Sequence, residues 1–291
     1  MSQTSNDQPE VQGYRDPNFP NPDGDMDTPI IIYGYTPSFA LAMVAVVWFF
    51  LSFIFHLGQT IRYRSWWFIP FSVGLAFEVV GYIARSLSAK KDPYHLIYYI
   101  INYFFIVTAP VLMAAGIYTI LSIMIKKLGA KHSLFAPKAI LWFFITSDAI
   151  ATVVQVTGAA LVGRKSAARQ DPTAAGNVLL AGLAYQVFAM TAFVAICGLF
   201  IFRAWRVISD TGLRLFIGIF SVSTALIYLR TVFRLAEAAQ GLWGSLQVHE
   251  VYFACLEFAP VALAVLLFGA WHPARCIRGE AEPREKKAGV V

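Results

Sequence analysis

Residues Trp66–Leu87 read WWFIPFSVGLAFEVVGYIARSL. The run spans 22 residues and its only charges are Glu78 and Arg85. At 1.5 Å per residue such a helix crosses the roughly 30 Å hydrocarbon core of a bilayer. Glu78, Tyr82 and Arg85 follow one another at four and three residues, so in a helix their side chains share a face. A lone carboxylate at bilayer depth costs at least about 2.5 kcal/mol, so Glu78 requires a partner, a proton or water. Groups elsewhere in the chain must meet this need.

Six further apolar runs have spanning length: Ser38–Leu57, Tyr99–Ile125, Lys138–Val162, Gly176–Phe202, Leu213–Gly241 and Val248–Trp271. Of the 291 residues, 58% are hydrophobic and 14% charged, against about 25% charged in a soluble domain. The sequence therefore predicts an all-α polytopic membrane protein with seven transmembrane helices. The net charge of +6 does not mark a nucleic-acid binder, because the Lys and Arg residues sit in connectors between apolar runs. Arg62, Arg64, Lys126, Lys127, Lys131, Arg203, Arg206 and Arg214, with the basic C-terminal residues, fall on one side of the predicted topology. The positive-inside bias then places the N-terminus outside and the C-terminus in the cytosol.

Residues 1–29 are polar and acidic, with Asp7, Glu10, Asp16, Asp23, Asp25 and Asp27 against Arg15 alone. Residues 1–34 are expected to form a disordered acidic tail, 35–273 the seven-helix domain and 274–291 a short cytosolic tail. Connectors such as 58–65 and 203–212 leave no room for a soluble catalytic domain. Cys197, Cys255 and Cys276 are scattered and give no disulfide framework. Trp66, Trp67, Tyr94, Tyr98, Tyr99, Trp243 and Trp271 read as interfacial belt residues. Pro110 and Pro260 fall inside spans and are expected to kink them. Gly198, Gly218 and Gly241 read as close-packing points.

Three other spans repeat the spacing of the second. The fourth carries Asp148, Thr152 and Gln155; the sixth Arg230, Arg234 and Glu237; the seventh Glu250 and Glu257. By residue count all four polar faces lie in the outer half of the membrane. Charges facing lipid there are disfavoured, so the faces are expected to turn inward and line one polar cleft open to the exterior. Glu78, Tyr82, Arg85, Asp148, Gln155, Arg230, Arg234, Glu237, Glu250 and Glu257 are thus the candidate substrate-binding residues. Asp148, Arg230, Arg234 and Glu257 are expected to face Glu78, with one or two Arg–carboxylate pairs among them. Thr152, Asn102 and Gln186 read as hydrogen bonds between helices.

The combination Glu78-x-x-Gly81-Tyr82-x-x-Arg85, Asp148 with Gln155-x-x-Gly158, Arg230-x-x-x-Arg234-x-x-Glu237, Glu250 and the closing His272-Pro273 resembles the fungal lipid-translocating exporter family. These are the RTA-like proteins named for resistance to aminocholesterol, and the likeness runs over about residues 33–275. The resemblance implies a fungal source, most often the plasma membrane, and a role in moving or tolerating sphingoid long-chain bases, phospholipids or amphiphilic toxins. One branch of the family is linked to porphyrin and haem traffic.

The leading expectation is therefore a translocator or exporter of lipids or amphiphiles, a non-enzyme needing no cofactor or metal. A long-chain base would place its amine on Glu78, Asp148 or Glu257 and leave its tail in lipid. No GxxxxGK[ST] loop is present, so energy would enter through a proton or lipid gradient. The alternatives are a seven-helix receptor or sensor using the same cleft, a haem or porphyrin carrier, and a zinc-dependent membrane lipid amidase. The last needs three convergent ligands, and His56, His95, His132, His249 and His272 are spread over both edges.

Overall fold

The computed structural model describes residues 13–19, 24–168, 170–241 and 244–279. Seven helices in it are long and apolar enough to cross a membrane: α1 (Phe39–Arg62), α2 (Trp66–Lys90), α3 (Leu96–Leu128), α4 (Pro137–Lys165), α5 (Thr173–Asp210), α6 (Arg214–Gln240) and α7 (Glu250–Ile277). The protein is an all-helical integral membrane protein, with no named strand among the described residues. Local chemistry sets the helix ends. Ser38 caps α1 by accepting the Leu41 N–H, Pro70 sits in the first turn of the α-helical part of α2, and Gly129 leaves α3 at φ +109°.

Successive helices pack side by side, and α7 returns to α1 and α6. Central α3 touches α2, α4, α5 and α6 and is the most enclosed span, whereas α1 is the least. The outer faces of α1 and α5 show Val44, Val47, Leu51, Phe188 and Phe202. Apolar side chains stable in lipid give little drive for helix association, so close approach relies on small residues. A Cβ built on Gly74 would lie 2.7 Å from the Ala109 carbonyl oxygen, one on Gly81 2.6 Å from Ile106, and one on Gly158 2.6 Å from the Leu179 nitrogen. The expected contacts at Gly198, Gly218 and Gly241 are corrected, since a Cβ at each would meet nothing within 4 Å. Gly241 instead ends α6 with φ +76°.

Disorder does not extend over the described part of the N-terminal tail. Residues 13–19 and 24–38 form a strap lying on the end of the bundle where α1, α3, α5 and α7 begin and α2, α4 and α6 end. The Thr28 N–H and hydroxyl both donate to or meet the Tyr94 carbonyl, at 3.0 and 2.9 Å, and the Leu96 N–H donates to Met26. Ile31 and Tyr33 bury themselves against Tyr94, with Tyr35 and Tyr99 alongside. Apolar residues 30–33 thus supply the burial that the acidic residues before them lack. Tyr94 and Tyr99 are correspondingly corrected from belt residues to docking residues, while Trp66 is exposed as expected and Trp243 lies outside the described residues.

At the opposite end, His56 and His272 are buried in an aromatic group with Tyr63, Phe68, Phe71 and Phe268. Their ring centroids are 6.3 Å apart, so two of the five histidines do meet. Among the described residues no three His, Cys, Asp or Glu side chains form a set able to hold a metal ion.

Candidate functional site

Two irregularities of the backbone build the charged centre. Pro110 has no N–H, so the Ile106 carbonyl four residues earlier loses its helical donor. The Arg230 Nη2 group of α6 donates to that carbonyl at 2.9 Å. In α7, residues Phe253–Phe258 form a π-helical turn just before Pro260, and this turn presents Glu257 toward α6. Arg230 Nε donates to Glu257 Oε1 at 2.9 Å, and Arg234 Nε lies 2.9 Å from Glu257 Oε2. The second contact is an ion pair without hydrogen-bond alignment, so Arg234 Nε keeps an unused donor. Arg234 Nη1 also donates to Glu237 Oε2 at 2.7 Å. Arg230, Arg234 and Glu257 are all buried, and the pairing is what makes burial of these charges tolerable.

A second ion pair closes the bundle end. Arg85 Nη2 donates to Glu250 Oε1 at 2.8 Å and to the Tyr35 hydroxyl at 2.7 Å. Both Glu250 oxygens accept the backbone N–H of Ser38, so one carboxylate joins α2, α7 and the cap of α1. The Arg85 guanidinium lies 4.0 Å from the Phe253 ring centroid and 5.3 Å from that of Tyr33. Tyr33 donates to the Asn102 side-chain oxygen at 3.3 Å, and Asn102 donates to the Gly81 carbonyl at 2.9 Å. Burial pushes the Tyr33 phenol up to about 12 against the opposing pull of Arg85, and burial raises Tyr35 likewise. Both strap tyrosines therefore keep their protons at neutral pH; the Tyr33 hydroxyl donates to Asn102 and the Tyr35 hydroxyl accepts from Arg85.

These groups border a cavity of about 100 Å³ at the strap end of the bundle. Tyr33, Tyr35, Tyr99, Tyr103 and Phe253 form its aromatic walls, with Arg85, Arg234 and Glu237 as its charges and Asn102 and Gln247 as its neutral polar groups. Leu179, Leu183 and Val162 complete it on the side of α4 and α5.

The expected single cleft is thus corrected to a cleft, a charged layer beneath it and a separate polar group. Arg85, Arg234 and Glu237 line the cleft, while Arg230, Glu250 and Glu257 hold those residues from behind. Glu78 is 2% exposed and forms no hydrogen bond or ion pair among the described residues, although Arg230, Arg234 and Glu257 are the charges that act on it. Neither arginine pairs with it, because Glu237 and Glu257 have taken them. Tyr82 stacks on Phe49 at 5.6 Å and turns away from the cleft.

Asp148 and Gln155 do not face Glu78. Asp148 accepts the Tyr118 hydroxyl of α3 at 2.7 Å, and Gln155 donates to Gln186 of α5 at 2.9 Å. Thr152 bonds its own helix at the Asp148 carbonyl, 2.7 Å away. A cavity of about 10 Å³ beside Asp148 has room for one water at most.

The sequence reading missed Tyr33, Tyr35, Tyr103 and Phe253. A usable signal was present in IIIYGYTP, residues 30–37, an apolar and aromatic stretch that Gly34 and Pro37 keep from joining α1. Tyr99, Asn102 and Tyr103 likewise share a helix face at three- and four-residue spacing.

The chain is 27% identical to "Sphingoid long-chain base transporter RSB1" of Saccharomyces cerevisiae strain Lalvin EC1118, over 85% of this chain and 75% of that one. It is 26% identical to the S. cerevisiae "Protoporphyrin uptake protein 1", over 83% and 92% of the two chains. It is 30% identical to the S. cerevisiae "Protein RTA1", over 69% and 64%. No solved structure matches the chain. The family model described as RTA1 like protein matches residues 71–280, from the second span through the last, and this chain belongs to that family.

Proposed function

We propose that this protein moves long-chain amphiphiles with a cationic head, of the sphingoid-base type, across a membrane and is not an enzyme. The observation carrying this reading is the cleft itself, where aromatic walls surround a buried ion pair, Arg234–Glu237, both members of which line it. An ammonium head group finds there a carboxylate to pair with, tyrosine hydroxyls to bond and ring faces to lie against. A space of about 100 Å³ suits a head group and leaves the tail in lipid. Whole small ligands occupy about 300–1,000 Å³, so the rigid ring of a porphyrin is the poorer fit, although one relative bears that name. Arg62, Lys126, Lys127, Arg203 and Arg206 lie near the end opposite the cleft, which supports a cleft facing outward from a plasma membrane and a cytosolic C-terminus.

The test is movement of sphinganine between leaflets of liposomes holding the purified protein. Transport above protein-free liposomes is expected, with Glu237→Gln slowed about 10- to 100-fold through loss of one charge-assisted contact of about 1.5–3 kcal/mol. A folded Glu237→Gln variant with full activity would overturn the assignment of the head group to this cleft.

A further inference from the structure

We infer that Glu78 carries the proton that this protein exchanges for the cationic head group it binds. The inference rests on the proposed function and adds its energy source. Three arginines and four glutamates occupy the charged layer and cleft. Arg85 pairs with Glu250, Arg234 with Glu237, and Arg230 and Arg234 share Glu257. These six charges cancel. Glu78 is left over, buried, and without a hydrogen bond or ion pair among the described residues. An ionised carboxylate in that position would be nearly out of water and would share arginines already paired with Glu237 and Glu257, so the layer is neutral only when Glu78 is protonated.

Titratable groups of four helices surround Glu78. From α6 come Arg230 and Arg234, from α7 Glu257, from its own helix Tyr82 and Arg85, and from α3 Tyr103 beside Arg234. Arg85 and Arg234 both line the cleft and both have an Nε without an aligned hydrogen bond, but only the partner of Arg234, Glu237, lines the cleft with it, whereas Glu250, the partner of Arg85, does not. Arg234 also reaches both the cleft and the layer beneath, since it touches Glu237 and Glu257 at once.

The exchange follows by partner switching. An entering R–NH3+ takes the Glu237 carboxylate from Arg234. Arg234, relieved of that partner, takes the carboxylate of Glu78. The Glu78 proton leaves through the cleft. One positive charge enters and one departs, with no bond other than O–H broken, so the cycle is electroneutral and a proton gradient can drive it. Asp148 also lacks a cation among the described residues, yet it is bonded to Tyr118 and no described arginine acts on it, so it takes no part.

The test counts protons. Sphinganine is titrated calorimetrically into the detergent-solubilised full chain at neutral pH, in two buffers of different ionisation enthalpy. The wild type is expected to release one proton per sphinganine bound, Asp148→Asn to release one as well, and Glu78→Gln to release none. Binding by the wild type without proton release overturns the exchange and leaves the proposed function standing. Release of a full proton by Glu78→Gln assigns the proton elsewhere and overturns the role of Glu78. Absence of sphinganine binding overturns both readings together.

Discussion

The polar stripes of α4 and α6 have the same spacing and opposite fates. Asp148, Thr152 and Gln155 on α4 repeat at four and seven residues, as do Arg230, Arg234 and Glu237 on α6. On α6 the stripe meets a freed carbonyl of α3 and a glutamate turned inward by the π segment of α7, and charges from two helices gather there. On α4 one member bonds its own backbone and the others bond neutral groups of α3 and α5. Spacing fixes which face is polar; the neighbours' backbone irregularities decide whether that face becomes a charged centre.

The comparison breaks first at Arg230. Arg230→Leu leaves Glu257 with the poorly aligned Arg234 contact alone and strips the Ile106 carbonyl of its donor. Removing one partner of a buried pair costs about 3–5 kcal/mol, so thermal unfolding in detergent should shift strongly downward. A loss below about 1 kcal/mol would mean that the α6 stripe does not hold this end of the bundle.

The α4 side depends on packing more than on charge, which Gly158 probes. A Cβ there would lie 2.6 Å from the Leu179 nitrogen and 2.8 Å from its Cα, and backbone cannot step aside as a side chain can. Gly158→Ala is expected to cost about 1–3 kcal/mol by forcing α4 and α5 apart. Gly198→Ala, with nothing within 4 Å, should be neutral or stabilising by up to about 1 kcal/mol through helix propensity. Equal effects at the two positions, measured by the same unfolding assay, would remove the contrast.

The seven spans and the four polar stripes were legible in the sequence because length, hydropathy and helical spacing are local properties. The convergence was not legible. Nothing in residues 253–258 announces a π turn apart from the nearby Pro260, and that turn sets where Glu257 points. The same holds for Gly158, whose contact depends on where α5 lies, and for Gly198, which shares its residue type and meets nothing. The strap escaped notice because the acidic residues before Thr28 set the average of the tail, whereas four buried residues, Ile30–Tyr33, fix its position.

Among the polar residues of the two stripes the smallest effect is expected at Asp148, and it is the sharpest test of the comparison. Asp148→Asn keeps an oxygen for the Tyr118 hydroxyl, whose bond to Oδ2 is now 2.7 Å long. The other oxygen, Oδ1, has no partner to lose, and the adjoining cavity of about 10 Å³ can hold a single water to serve an amide. The net change is that of one neutral hydrogen bond, about 1 kcal/mol or less. A cost above about 3 kcal/mol would require a charged Asp148 held by a cation, and the α4 stripe would then be a second charged centre. A cost within the lower bound leaves the buried ion pairs of the described residues on α2, α6 and α7, with none on α4.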